Sequence, residues 1–448
     1  MEYGIISCLP IAVLIIGVII TKKMPEMLLL SSLVGAIIIY GTGFLSGYVE
    51  MLYMALSNEA YQLIFFILIG FGGMIKVFEK SGALLGFSNI LSKYANTPKK
   101  SLVFTWLLGG IIFIDDYLNA LAVASSMRSL TDKQGIPREH LAYTVNAMGT
   151  CICVLIPFTS WSGFGIGITS EFGLSFSDYV SAIPFMFYPI TTVIICLLLA
   201  LGVFPKIGNM KKAYKRVEET GDTTVVEEGG TSIFSIEKDE TVKPVSPINF
   251  VIPIIALVAG MIIFENDLIH GIIVALVVQA VMYILQKIMT PTEYMSNLFE
   301  GITSMATLMF IILIAFVLSS GNEMMGFSEY VIDVFTKSVS PALLPAIAFL
   351  IVGFVAFTAA SFWVLIALTV PIFIPLSLSM GVNPVIVLAA IMSGVALGSQ
   401  SCFYSDAVFM TAAGTEVSNI TQVKAIAPYV IIGAVISFIL YLVVGFAL

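Results

Sequence analysis

The chain has 448 residues, 59% of them hydrophobic and only 11% charged, with a mean hydropathy of +1.04. A soluble domain carries about a quarter charged residues, so a water-soluble fold is excluded, and the short alternating strands of a membrane barrel are absent. The formal net charge of −8 comes in good part from one hydrophilic segment and points to no nucleic-acid partner.

Runs such as 5–21, 183–204 and 426–448 approach or exceed the ~18–20 apolar residues that cross the hydrocarbon. The expectation is an all-α polytopic protein of the cell (inner) membrane, with the lipid bilayer as its first partner. The first run lacks a basic leader, and Lys22 and Lys23 stand where a signal-peptide cleavage site would be small and neutral, so it reads as a first transmembrane helix. Positive charge marks the cytoplasmic side, which places the amino terminus outside. A second helix over about 27–40 returns outward, and a third over about 61–77 comes back in ahead of Lys80, Lys93, Lys99 and Lys100.

The next stretch, 101–126, has Lys99 and Lys100 before it and Arg128, Lys133 and Arg138 after it. Both flanks read as cytoplasmic, and one spanning helix cannot return to the side it left. A re-entrant hairpin turning near Gly109–Asp116 satisfies both flanks. Irregular backbone at that depth is tolerated only where protein or water covers it. An interrupted segment, about 141–167, then runs outward, and 183–204 returns ahead of Lys206, Lys211, Lys212, Lys215 and Arg216. Residues 206–247 are rich in Lys, Glu, Thr and Gly and read as a cytoplasmic, partly disordered linker.

The second half repeats the pattern, with spans near 250–264, 268–285 and 302–318, a break in 342–376, an interrupted segment at 384–413 and a last helix at 426–448. Sliding one half along the other sets Gly135-Ile136-Pro137 on Gly381-Val382-Asn383, and Phe158–Trp161 on Tyr404–Ala407. The first half starts outside and the second inside. The expected architecture is therefore two inverted repeats, 1–205 and 248–448, with about 10 transmembrane helices and two re-entrant hairpins with broken helices, the layout of secondary transporters.

Chemistry concentrates at the breaks. The first hairpin, FIDDYLNALAV, supplies Asp115, Asp116, Tyr117 and Asn119. A carboxylate in mid-membrane costs about 2.5–3.5 kcal/mol, so two adjacent ones point to a cation held by oxygen ligands or exchanged for a proton. Neighbours on a helix diverge by about 100°. Asp116 is favoured as the ligand because Asn119 lies one turn on, while Asp115 is placed to cap the helix; both aspartates as caps in a solvated loop is the plainer reading. In YTVNAMGTCICVLIPFTSWSG, Asn146, Thr150, Thr159, Ser160 and Ser162 punctuate an apolar helix, and Pro157 removes a donor and frees carbonyls. Trp161 is placed to wall the site. Packing between helices is the common role of isolated Ser and Thr; their clustering beside a proline favours binding. The counterpart MSGVALGSQSCFYSDAVFMTAAG offers Ser399, Gln400, Ser405 and Asp406, and the second hairpin adds Thr358, Ser361 and Trp363 without a charge. Asp116 and Asp406 are the candidate sodium ligands. Glu50, Glu59, Glu79, Glu171, Asp178 and Glu300 lie near helix ends and read as solvated. The five cysteines show no metal-ligand spacing and the two histidines lie far apart, so both read as packed residues, with no cofactor beyond a sodium ion or proton.

The run from Phe113 to Trp161 resembles the NhaC-type sodium/proton antiporter family, whose members carry a similar F-x-D-D-Y-x-N segment, then M-R-x-x-T-D-K, then a helix ending in P-x-S-S-W. The stretch 392–414 looks like the family's second signature, a Gly-rich run ending in S-D. The resemblance implies an ion-transporter-superfamily fold of two inverted repeats with re-entrant hairpins, often dimeric, and hence a homodimer. Relatives tend to carry an acid in place of Asn146, and G-D-H-C-S-P-I-S-D where this chain reads Gly398 to Asp406, with Ser399 and Gln400 standing for an acid and a histidine. Fewer titratable groups and more amides suit an organic solute beside a sodium ion. Cation-coupled secondary active transport by alternating access is the expected function, with sodium/proton exchange and sodium-coupled movement of an amino acid or small carboxylate (as in malate/lactate-type exchange) both open. A channel would want a continuous polar path, and an intramembrane enzyme a facing dyad that adjacent residues do not make.

Overall fold

The computed structural model describes residues 3–21, 23–83, 86, 96–224, 244–264, 267–359, 362–403 and 405–447, with some side chains inside helices, among them those of Tyr117, Thr358 and Asp406, left aside. Among these residues there are helices and turns but no strand. Seven helical segments are long and apolar enough to cross a membrane, or eight if the 53° bent pair at 176–185 and 187–200 is one span. Four shorter apolar segments, Gly4–Gly17, Ile248–Ile263, Pro341–Phe357 and Leu365–Ser379, fall below spanning length.

The first group of helices is α1 (Leu9–Thr21), α2 (Met24–Tyr40), α3 (Phe44–Ser57) and α4 (Glu59–Ser81). No separate helix is expected over 44–57; in the structure α3 stands there, joined to α2 by one 3-10 turn over Gly41–Gly43. Asn58 caps α4 by accepting from Tyr61 N at 3.1 Å, and Gly82 ends it in the left-handed region. Then follow α5 (Pro98–Ile111), α6 (Asp116–Lys133), α7 (Arg138–Leu155), α8 (Ser160–Ser170), α9 (Phe176–Ala182) and α10 (Phe187–Ala200). Thr97 caps α5, with Pro98 at its first position, a conformation proline pre-sets.

The segment between the halves, expected from composition as a partly disordered linker, begins with a helix. Here α11 (Gly208–Thr220) lies against α7 and the last helix of the chain. Arg216 grips the buried Glu139 carboxylate with two bonds of 2.7 and 3.0 Å, and Lys206 sits 3.2 Å above the Tyr214 ring. Composition missed this helix because its buried face is only Met210 and Ala213.

The second half runs α12 (Ile248–Ile263), α13 (Leu268–Leu285), α14 (Pro291–Ser304), α15 (Ala306–Met324), α16 (Phe327–Ser338), α17 (Leu344–Ala359), α18 (Phe362–Ser379), α19 (Pro384–Ser401), α20 (Asp406–Thr415) and α21 (Asn419–Ala447). A shift of 246 residues carries the starts of α5, α6, α7 and α8 onto those of α17, α18, α19 and α20. The same shift carries Gly135 (φ +64°) onto Gly381 (φ +70°), both in the left-handed region that glycine enters without a Cβ clash.

The two equivalent helices α7 and α19 form the core axis, with 15 of 18 residues buried in each. Their polar residues therefore face protein rather than lipid. By contrast, Ile431, Val435, Ile439 and Val443 of α21 form an exposed apolar face of the kind that meets lipid. Contact between α17 and α19 is close because Gly353, Ala356, Gly394 and Gly398 lie at the crossing; a Cβ on Gly398 would stand 2.1 Å from that of Ala356.

Candidate functional site

Each helix break exposes carbonyls that the helix no longer bonds, and inside a membrane each must find a donor. Between α5 and α6, Asn119 Nδ2 donates to Gly109 O at 2.6 Å and Ile112 O at 2.7 Å. Cys153 Sγ lies 3.1 Å from Phe113 O, and the Ser160 N–H donates to Ile114 O at 3.2 Å. Between α7 and α8, the Thr159 hydroxyl donates to Cys153 O at 2.6 Å and the Tyr179 hydroxyl to Val154 O at 2.8 Å. Between α19 and α20, Ser405 Oγ donates to Ser399 O at 2.7 Å and Asn419 Nδ2 to Phe403 O at 3.0 Å.

Of the carbonyls freed around Pro157, those of Cys153 and Val154 are thus held by side chains. Thr159 likewise caps α8 in a reciprocal box with Ser162, which uses its hydroxyl locally. Ser405 caps α20 at the position 246 residues on.

The two aspartates are buried, at 5% and 3% exposure. Asp116 is the first residue of α6, and its Oδ1 accepts from Trp161 Nε1 at 3.2 Å. Asp115 Oδ2 accepts from Ser160 Oγ at 3.3 Å. Both carboxylates thus lie where the amino ends of α6 and α8 meet, and the partial positive charge of helix N-termini favours anions there. Trp161 is held by stacking on Phe362 (centroids 6.1 Å apart) and against Trp363 (5.5 Å).

Across from them, α7 presents Asn146 and Thr150 one turn apart, with Gly149 on the same side. A Cβ on Gly149 would stand 3.5 Å from Asp116 O and 3.7 Å from Asn119 Cγ, so the missing side chain lets α6 close onto α7. Asn146 Nδ2 reaches Gln400 O of α19 at 3.5 Å, and the Tyr188 hydroxyl donates to Gln400 Oε1. Asn119 Oδ1, Asn146 Oδ1, Thr150 Oγ1, Ser399 Oγ and Gln400 Nε2 are all buried with no hydrogen-bond partner among the described residues. Leaving such atoms unpaired costs roughly 1–3 kcal/mol each, so this group is ready to coordinate or hydrogen-bond something that is not protein.

Of the residues read from sequence, Asp115, Asp116, Asn119, Asn146, Thr150, Ser160, Trp161, Ser399, Gln400 and Ser405 lie at or next to the meeting of α6, α7, α8 and α19. Ser361 and the side chains of Thr358 and Asp406 lie outside the described residues; Asp406 is the first residue of α20. Tyr188, Cys153 and Phe362 enter the site's surroundings with no signal in the sequence. Each sits in an apolar run where a packed side chain is the default reading.

The profile of the Na+/H+ antiporter family matches residues 180–446. A curated relative, an uncharacterized protein of Haemophilus influenzae, is 24% identical over 425 residues, covering 87% of this chain and 79% of that one. In fold the chain is similar to the crystal structure of the Alcanivorax borkumensis YdaH transporter (TM-score 0.61, 13% identity, 91% of this chain and 90% of that one). It is also similar to Neisseria gonorrhoeae MtrF, described as one of a class of antimetabolite efflux pumps (TM-score 0.52, 12% identity, 90% and 84%). The family match spans more than half of the chain and agrees with the multi-pass helical architecture: this protein is a multi-pass membrane transporter that belongs to the Na+/H+ antiporter family.

Proposed function

We propose that the protein is a cation-coupled secondary transporter in which Asp116 and Asp115 bind the coupling ion, sodium or a proton. What supports this reading is one observation: two buried carboxylates meet at the joined amino ends of two broken helices, opposite unpartnered amide and hydroxyl atoms. A cation arriving there gains two charges and replaces water with oxygen ligands already in place. The repeats 1–205 and 248–448 would move against one another around this site, with the amino terminus outside and residues 206–247 cytoplasmic.

A second reading, sodium-coupled movement of an amino acid or small carboxylate, is supported by the amide atoms Asn146 Oδ1 and Gln400 Nε2, which no protein group satisfies. Reconstituted vesicles under an imposed sodium gradient separate the two. A lumenal pH change without organic solute supports sodium/proton exchange, and solute-dependent sodium flux supports the second reading. No response to sodium in either case would overturn both.

A further inference from the structure

Helix α8 leads from the aspartates to a cavity of about 610 Å³ at its far end, walled by the start of α4, the ends of α8 and α15 and the middle of α18. Asn58, Glu59, Glu171, Asn322 and Glu323 line it, and no basic side chain among the described residues does. Glu171 is held by a hydrogen bond from Asn58 Nδ2. Asn322 is only 7% exposed, yet its Oδ1 has no protein partner. Three carboxylates and an unpaired amide oxygen offer oxygen ligands alone.

The equivalent place 246 residues away holds ion pairs. Helices α6 and α20 stand to each other as α18 and α8 do, and both pairs are packed. At the end of the α6–α20 seam, Arg128 and Arg138 hold Glu416 at 2.6 and 2.7 Å. The residue corresponding to Glu416 at the end of α8 is Ser170, which lines the cavity. One seam ends in ion pairs, and at the end of its counterpart lies the cavity. Between the open cavity and Asp116, which Trp161 contacts, Trp161, Trp363 and Phe164 pack against one another as an aromatic plug (Phe164–Trp363 edge to face, centroids 5.0 Å apart). Ser170 lies nine residues beyond Trp161, about 13 Å along a helix.

We infer that this cavity is an entry site that binds a small monovalent cation, a metal ion or an organic ammonium, before it passes the aromatic plug to Asp116. The inference rests on the cation-transport reading above. A cleft lined by one sign of charge concentrates counter-ions, and monovalent ions suit it better than divalent metals, because its three carboxylates are spread along the walls and form no metal-holding group among the described residues. Wall burial and the neighbouring Glu323 raise the Glu171 carboxylate above its ordinary value, while Asn58 opposes them.

The test uses the full-length chain in lipid vesicles with Ser170→Cys in a Cys8→Ser background, since the other native cysteines are buried. Thiol labelling is timed with a trimethylammonium and a sulfonate methanethiosulfonate, each relative to a free thiol. The cationic reagent should be favoured by about tenfold or more, and Glu171→Gln with Glu323→Gln should collapse the preference towards one; each single variant should collapse it in part. At constant ionic strength, protection by sodium chloride identifies an inorganic ion, and protection by ethylammonium chloride an organic one. Equal rates for the two reagents, a preference unchanged in the double variant, or protection by neither salt would overturn the inference. Asp116→Asn should leave labelling and protection unchanged. If transport proves independent of any cation while the preference and protection persist, the Asp116 reading fails and the cavity site stands.

Discussion

Arg138 on α7 holds Glu416, 278 residues further on, through Nη1 at 2.7 Å. Arg128 grips the other carboxylate oxygen at 2.6 Å, and Asp132 braces Arg138 at 2.9 Å. Glu416 itself is a non-glycine residue in the left-handed region, with φ +57°. One carboxylate thus ties the end of α20 to the α6–α7 turn.

Replacing it separates charge from backbone. Glu416→Ala should lower stability by about 1–2 kcal/mol, because two largely covered guanidinium groups lose their shared acceptor. Glu416→Gly loses the same ion pairs but relieves the backbone, and should be the more stable of the two by roughly 1 kcal/mol. Thermal unfolding in detergent compares them; equal midpoints would mean that the left-handed conformation carries no strain.

Asp116→Asn keeps an oxygen for the Trp161 indole but removes the charge. Sodium affinity should fall on the order of a hundredfold, about 2.7 kcal/mol, with the folded protein recovered in normal yield. Transport with unchanged sodium dependence would rule Asp116 out as the ion ligand.

Trp161→Phe preserves the stack on Phe362 and Trp363 and deletes only the indole donor. A stability loss of about 0.5–1.5 kcal/mol is expected, against about 3–5 kcal/mol for Trp161→Ala, which leaves a cavity beside the aspartates. Melting curves of the two variants check the ratio. Similar losses would show that the hydrogen bond, not packing, anchors α8.

At Gly398 there is no room for a methyl group, so Gly398→Ala should force α17 and α19 apart at a cost of about 1–3 kcal/mol. Gly110, where a Cβ would meet nothing nearer than Met148 Cε at 3.7 Å, is the control: Gly110→Ala should be neutral or stabilising. A wild-type melting point for Gly398→Ala would disprove the close crossing.

The cavity carboxylates set a pH dependence. Glu171 must be ionised to attract a cation, and its raised value means it takes up a proton above the usual 4.5. Labelling preference at Ser170→Cys should therefore decline as pH falls through a range above that value. Glu59 and Glu323 face the same cavity, and among the described residues the α18 wall contributes no charged lining residue. Asn58→Ala removes the opposing hydrogen bond, so it should move the decline to higher pH. A decline at the same pH in both proteins would exclude Asn58 as the opposing group.

Hydropathy and helix-breaking residues carried a good deal of this fold on their own. They marked most of the apolar segments, although those at 4–17 and 248–263 stop short of spanning length and no helix is expected at α3; they also marked the interruption at Pro157 and the turn before Asp116, and set Gly135 on Gly381 and Phe158–Trp161 on Tyr404–Ala407, the shift that the helix boundaries also follow. These are local properties: chain length across hydrocarbon, a missing backbone donor, a residue without a Cβ. Which groups meet across the chain is not local. That Trp161 reaches Asp116, that Asn119 closes its own turn, that Thr159 and Tyr179 occupy the freed carbonyls and that Arg138 finds Glu416 all depend on how α6, α7, α8 and α20 pack. A polar residue in an apolar helix must be satisfied, but its own sequence does not say by whom, and only the tertiary structure assigns each donor its acceptor.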